Sequence, residues 1–131
     1  MALDIYAAKD LNHAFEIASM DSEKRMEDHE VSEPEEIGDF LYDTRNELTN
    51  YTYYYQFDPY RETQLEADQV PAIKTFSRSI VKWLEEHGTE ENRVIQQYGL
   101  SFPKIRRFAD KLGHVCDVAM EHEYGLSGLG D

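Results

Sequence analysis

A run of apolar residues at helical spacing is the feature that most constrains the fold of this chain. Between Gln69 and His87, six large apolar side chains recur mainly at steps of three and four residues, the period of one face of an α-helix. They are Val70, Ile73, Phe76, Ile80, Trp83 and Leu84. Gly88 follows as a helix stop. The sequence therefore predicts an amphipathic helix over residues 69–87.

Two further helices are predicted downstream. The first opens at Thr89 with acidic residues in its first turn, as the helix dipole prefers, and ends at Gly99. The second is capped by Ser101 and runs to Gly125 with an apolar stripe along one side. Gly113 lies in its middle, where glycine costs up to ~1 kcal/mol relative to alanine. This glycine predicts a close approach by a neighbouring helix.

The first half of the chain predicts two more helices. One is capped by Asp10. The other begins at Ser32 with capping-box spacing, and its apolar period continues into Tyr51 and Tyr55. We expect this helix to reach about Tyr54, followed by an irregular exit forced by Asp58-Pro59. Tyr51, Tyr53, Tyr55 and Phe57 also recur with period two, so a strand is the alternative for this last part.

Strands have little support in the sequence. Ala2–Ala8 alternates apolar and polar residues and predicts a short strand, for which Glu62–Leu65 is the only candidate partner. We therefore predict a mainly α fold: a single-domain bundle of about five helices, with at most a minimal two-stranded β element. Residues 1–131 are expected to form this one acidic helical domain.

The negative charge is concentrated in the first half. The chain has a formal net charge of −14 at pH 7. Residues 1–60 hold 15 acidic and 4 basic side chains, whereas residues 61–131 hold 12 and 9. Eleven of the acids lie between residues 21 and 47. Such a field repels phosphate backbones and speeds encounter with basic partners, so we expect a basic protein partner and no nucleic acid. Solubility alone is the alternative explanation.

Tyrosines are concentrated directly after this acidic stretch. Residues 50–60, NYTYYYQFDPY, contain five tyrosines and one phenylalanine. We expect Tyr51 and Tyr55 in the core. Tyr53, Tyr54 and Tyr60 are expected to face outward or along a groove, where tyrosine is a typical anchor of protein interfaces. Ordinary packing at the rim is the alternative. The predicted partner-binding residues are Glu35, Glu36, Asp39, Asp43, Glu47, Tyr53, Tyr54 and Tyr60.

Catalytic and metal-binding signals are weak. The chain has no phosphate-binding loop, dinucleotide-binding glycine motif, C-x-x-C or H-E-x-x-H. Asp110, His114, Asp117 and Glu121 share one helix face, but this face lies opposite the apolar stripe, so a solvated surface is favoured over a metal site. Cys116 is interpreted as a small core residue. We predict that the protein is not an enzyme and has no cofactor and no metal.

The sequence also indicates a cellular compartment. The chain has a single cysteine, which excludes an intramolecular disulfide and suits a reducing compartment. Neither an export signal nor a window of about eighteen apolar residues occurs, so no membrane association is expected. A cytoplasmic location is predicted.

One segment carries a resemblance to a known group of proteins. YRETQLEADQVPAIKTFSRSIVKWLEE, together with the opening MALDIYAAK, resembles small bacterial immunity proteins that protect cells from polymorphic or contact-dependent toxins. The resemblance implies a non-enzymatic, acidic domain that binds and blocks a basic toxin, often a nuclease. Two other functions stay open: a nucleic-acid mimic that inhibits a DNA-binding protein, and a metal-dependent enzyme that uses the Asp110–Glu121 stripe. The oligomeric state is not predicted.

Overall fold

A computed structural model of the chain describes residues 3–20 and 27–130. The first residue of the predicted opening strand, Ala2, and residues 21–26 of the acid-rich stretch lie outside the described residues. The strands are β1 (Leu3–Ala8), β2 (Glu30–Glu33), β3 (Glu62–Leu65) and β4 (Gly125–Gly130). The α-helices are α1 (Leu11–Ala18), α2 (Glu35–Thr44), α3 (Tyr51–Tyr54), α4 (Val70–Glu86), α5 (Glu91–Tyr98) and α6 (Phe102–His122). Short 3₁₀ turns occupy Glu27–His29, Arg45–Glu47, Ala67–Gln69 and Gly88–Glu90.

The four strands form one antiparallel sheet in the order β2-β1-β4-β3. The fold is therefore α+β, and the prediction of a mainly α bundle with a two-stranded element is wrong. The predicted pairing of the first strand with Glu62–Leu65 is also wrong, because β4 lies between β1 and β3.

The high glycine content of β4, one of the two inner strands, makes this strand hard to recognise from the sequence. Its sequence, GLSGLG, has low β-propensity and resembles the tail of a helix. Close backbone contacts explain the glycines: a β-carbon would lie 2.0 Å from the Leu65 carbonyl oxygen at Gly125, and 2.5 Å from the Pro59 backbone at Gly130. Pairing on both edges, with β1 and with β3, holds the strand in place.

The sheet is covered on both faces. Leu3, Ile5 and Ala7 join the main core, which draws on all four strands and on α2 to α6. Tyr6 and the neighbouring Ala8 point to the opposite face, where the apolar side of α1 covers them. The alternating pattern that marked β1 thus separates two buried layers.

Several helix predictions are confirmed. The predicted helix over residues 69–87 is α4, and α6 begins after Ser101, whose hydroxyl accepts a hydrogen bond from the Lys104 amide. The Asp10 side chain caps α1 through the His13 amide at 2.8 Å. A β-carbon at Gly113 would lie 3.0 Å from the Ser77 hydroxyl oxygen, so the expected close approach is made by α4. Within the described residues, no helix is both long enough and apolar enough to cross a bilayer.

The predicted helix from Ser32 into the tyrosines is wrong. Ser32 lies in β2 and donates to Asp4 at 2.5 Å, so it does not cap α2. The helix α2 ends at Thr44, a 3₁₀ turn follows, and Asn50 adopts the left-handed conformation with φ 65°. This break resets the helical phase, so the tyrosines of α3 do not continue the buried face of α2.

Candidate functional site

A groove of about 250 Å³ opens where α2, the end of β2 and the tyrosine-rich residues 51–60 meet. Its lining combines acidic and phenolic side chains, and we name it the tyrosine–acid groove. The carboxylates are Glu33, Glu35 and Asp39, and the tyrosines are Tyr42, Tyr51, Tyr54, Tyr55 and Tyr60. An aromatic surface with a few convergent polar groups is the general character of protein binding sites.

The side chain of Glu33 is fixed by Tyr54. Glu33 is the last residue of β2, one residue before Pro34 leads the chain into α2. The Tyr54 hydroxyl donates a short hydrogen bond to its Oε2 atom. Tyr54 itself is 4% exposed and stacks on Phe76 of α4, with ring centroids 4.6 Å apart. The core therefore holds the phenol that orients the carboxylate.

Burial dominates the protonation of this pair. Burial raises the pKa of the Glu33 carboxyl above its ordinary value; the Tyr54 hydrogen bond lowers it, and the nearby Asp39 charge raises it again. The Tyr54 pKa is raised well above its ordinary value, first by burial and then by the Glu33 charge. A carboxyl that is costly to ionise and lies in a groove is a mark of a functional site.

Gly38 makes room for the other oxygen of Glu33. A β-carbon at this position would lie 2.5 Å from Glu33 Oε1. Glycine inside a helix such as α2 costs up to ~1 kcal/mol relative to alanine. The chain therefore accepts a weaker helix at the position where a larger residue would displace the Glu33 carboxylate.

A cation already stacks on one tyrosine at the rim. The Arg45 guanidinium lies 4.0 Å from the centroid of the Tyr42 ring, within the range of a cation–π contact. It belongs to a neighbouring depression that shares Tyr42, Tyr51 and Tyr55 with the groove. Burial and the Glu33 charge raise the pKa of Tyr51 to about 12, so this phenol stays protonated at neutral pH.

Half of the predicted partner-binding residues line this groove. Glu35, Asp39, Tyr54 and Tyr60 do so, and Tyr60 is 68% exposed. Tyr54, predicted to face outward or along a groove, lines this groove, but its ring is buried and its hydroxyl reaches Glu33. Tyr55, expected in the core, is 64% exposed.

The other predicted residues lie away from the groove. Asp43 accepts a hydrogen bond from the Tyr98 hydroxyl at 2.5 Å, and Glu47 lies 3.5 Å from Nε2 of His87. Glu36 and Tyr53 are exposed and do not line it. The acidic side chains of α2 and the turn after it therefore do not form a single face.

Sequence reasoning missed the centre of the groove. In the sequence, nothing distinguishes Glu33 from the ten other acids of residues 21–47, or Tyr42 from the other tyrosines. The available signal was Gly38, a glycine inside a predicted helix five residues after an acid. Such a glycine indicates close packing, but the sequence does not say which side chain is the neighbour.

The polar stripe of α6 has separate partners. Asp110 lies 3.6 Å from Arg106, His114 lies 3.3 Å from Asp28, and Asp117 pairs with Lys74. In residues 3–20 and 27–130, no group of three or more histidine, cysteine or acidic side chains is placed to hold a metal ion. Cys116 is a core residue, as predicted, and burial raises its pKa to about 12, so its thiol stays protonated.

Comparisons with protein-family models, with curated proteins and with solved structures found no match for this chain.

Proposed function

We propose that this protein binds and blocks a basic protein, as an immunity protein blocks its toxin. The observation that carries the proposal is the tyrosine–acid groove, which places the carboxylates of Glu33 and Asp39 among aromatic rings. In this proposal the protein acts in the cytoplasm by binding alone, without catalysis, a cofactor or a metal.

The charge of the chain supports the same function. A net charge of −14 attracts a cationic surface and raises the rate of encounter. A nuclease is a partner of this kind, because it needs a cationic cleft to hold phosphate. Exposed rings such as Tyr55 and Tyr60 then supply contact area at low entropic cost.

The test is co-purification of the full chain with the product of the adjacent gene. We expect a stable complex in which the enzymatic activity of the partner is lost. Charge reversal in the groove, Asp39→Lys, should weaken the complex more than Asp43→Lys, because Asp43 is bonded to Tyr98 outside the groove. Absence of a complex, or equal effects of the two variants, contradicts the proposal.

A nucleic-acid mimic is the second candidate, favoured by the acids that lie outside the groove at Glu36, Asp43 and Glu47. It predicts binding to several unrelated DNA-binding proteins and equal sensitivity to charge reversal at each acid. An immunity protein should instead select one partner. A panel of unrelated DNA-binding proteins in the same binding assay separates the two functions.

A further inference from the structure

The Glu33 carboxylate keeps acceptor capacity for a donor from outside the chain. Oε2 accepts from the Tyr54 hydroxyl, whereas Oε1 packs against Gly38, where a β-carbon would lie 2.5 Å from it. Among the described residues, Tyr54 is the only side chain that donates a hydrogen bond to Glu33. Glu33 is only partly buried, so its carboxylate can accept from a further donor that enters the groove.

No cation among residues 3–20 and 27–130 is seen to supply this donor. Within the described part of the chain, no lysine or arginine lines the tyrosine–acid groove. The Arg45 guanidinium at the rim stacks on Tyr42 and donates to the Tyr42 carbonyl oxygen at 2.7 Å. The described lining of the groove therefore presents the carboxylates of Glu33 and Asp39 without a cation beside them.

We infer that the groove receives one arginine side chain of the basic partner, with its guanidinium against the Glu33 carboxylate and the tyrosine rings. This inference rests on the proposed function and names the group that the site recognises. Its basis is the juxtaposition, in one groove, of a partly exposed carboxylate, five tyrosines and a described lining that holds no cation.

Arginine fits this surface better than lysine. A guanidinium is planar, stacks on aromatic faces and donates in a fork that matches a carboxylate, whereas an ammonium is a strongly hydrated point charge. The contact of Arg45 with Tyr42 shows that a guanidinium stacks on a tyrosine that lines this groove. The groove volume of about 250 Å³ lies below the roughly 300–1,000 Å³ of small-molecule pockets, which suits a single side chain.

The test uses three short peptides of equal length, in which glycine alternates with arginine, lysine or citrulline. Affinity for the full chain is measured by calorimetry, and the bound site is mapped by amide chemical shifts. We expect the arginine peptide to bind about fivefold more tightly than the lysine peptide. The neutral citrulline peptide should bind most weakly, and the shifts should centre on Glu33, Gly38 and Tyr54.

Two variants that each remove one negative charge locate the effect. Glu33→Gln should abolish the preference for arginine over lysine, whereas Glu36→Gln, on the exposed side of the same region, should weaken both peptides equally and keep the preference. Equal affinity of the arginine and lysine peptides, tight citrulline binding, or a preference that survives in Glu33→Gln would overturn the inference. Should Glu33→Gln not fold, the shift map on the native chain decides: shifts elsewhere refute the site.

Failure of this inference is distinguishable from failure of the proposed function. A native complex with no arginine preference removes the arginine assignment and leaves the inhibitor proposal. A clear arginine preference without any complex with the adjacent gene product removes the inhibitor proposal instead.

Discussion

Two grooves of this molecule hold charged side chains in different ways. The helix-pair groove between α4 and α6, about 340 Å³, is lined by both acids and bases, and Lys74 pairs there with Asp117. The tyrosine–acid groove holds Glu33 and Asp39 without a basic residue in its described lining. Charges balanced within the fold stabilise the fold. Charges left unbalanced are available to a partner.

The largest expected effect comes from reversing one charge in each groove. Asp39→Lys should lower affinity for the basic partner about 100-fold, because it places a cation where a cation must bind. The matched variant Asp110→Lys in the helix-pair groove changes net charge equally and should lower affinity less than about threefold, through long-range attraction alone. Calorimetry on the native complex measures both; similar losses would erase the distinction between the grooves.

A matched pair of glycine variants tests the same distinction by shape. Gly38→Ala should lower partner affinity about tenfold, since its β-carbon would meet Glu33 Oε1 at 2.5 Å and displace the carboxylate. Gly113→Ala, whose β-carbon would meet Ser77 at 3.0 Å, should leave affinity unchanged and alter only stability. Binding and urea denaturation of both variants check this expectation. A loss of affinity in Gly113→Ala would contradict it.

The hydrogen bond between Tyr98 and Asp43 lies outside both grooves and should matter only to stability. Tyr98→Phe should lower the free energy of unfolding by about 1 kcal/mol at neutral pH and leave partner affinity unchanged.

This bond also has an expected alkaline signature. Burial first, and then the Asp43 hydrogen bond, raise the pKa of Tyr98 from 10.0 to about 12. Its contribution is therefore present below pH 10.0 and lost as pH rises through about 12. Across this pH window, the free energy of unfolding should fall less steeply with pH for Tyr98→Phe than for the native chain. Equal slopes would contradict the assignment.

The smallest expected effect is a gain of stability at the site itself. The folded pKa of Glu33 is raised above 4.5, so its stabilising contribution is present below pH 4.5 and is lost as pH rises through the folded value. At neutral pH, Glu33→Gln should therefore stabilise the chain, by up to about 1 kcal/mol, while weakening partner binding. Below pH 4.5 the gain should vanish. Destabilisation at neutral pH would mean that the Tyr54 hydrogen bond outweighs burial.

The helix pair α4 and α6 was predictable because its local signals agree with its packing. The apolar period of α4, the Ser101 cap of α6 and the Gly113 contact all point to the same helix pair. The sheet was not, since Gly125 and Gly130 are selected by contacts with Leu65 and Pro59 that no local pattern reveals.

The candidate site was only partly predictable for a related reason. Composition identified the acids and tyrosines, and four of the eight predicted residues do line the groove. After the left-handed turn at Asn50, the ring of Tyr54 is buried and Tyr55, which is expected in the core, is exposed. A single break in helical phase decides which ring is buried, and the sequence alone gave no reason to place that break at residue 50.

The most direct test of the central claim is hydrogen–deuterium exchange of the full chain with and without its basic partner. We predict added protection in residues 33–42 and 51–60, which form the tyrosine–acid groove, and unchanged exchange along the facing surfaces of α4 and α6. Protection confined to the helix-pair groove, or none in residues 33–42 and 51–60, would contradict the account.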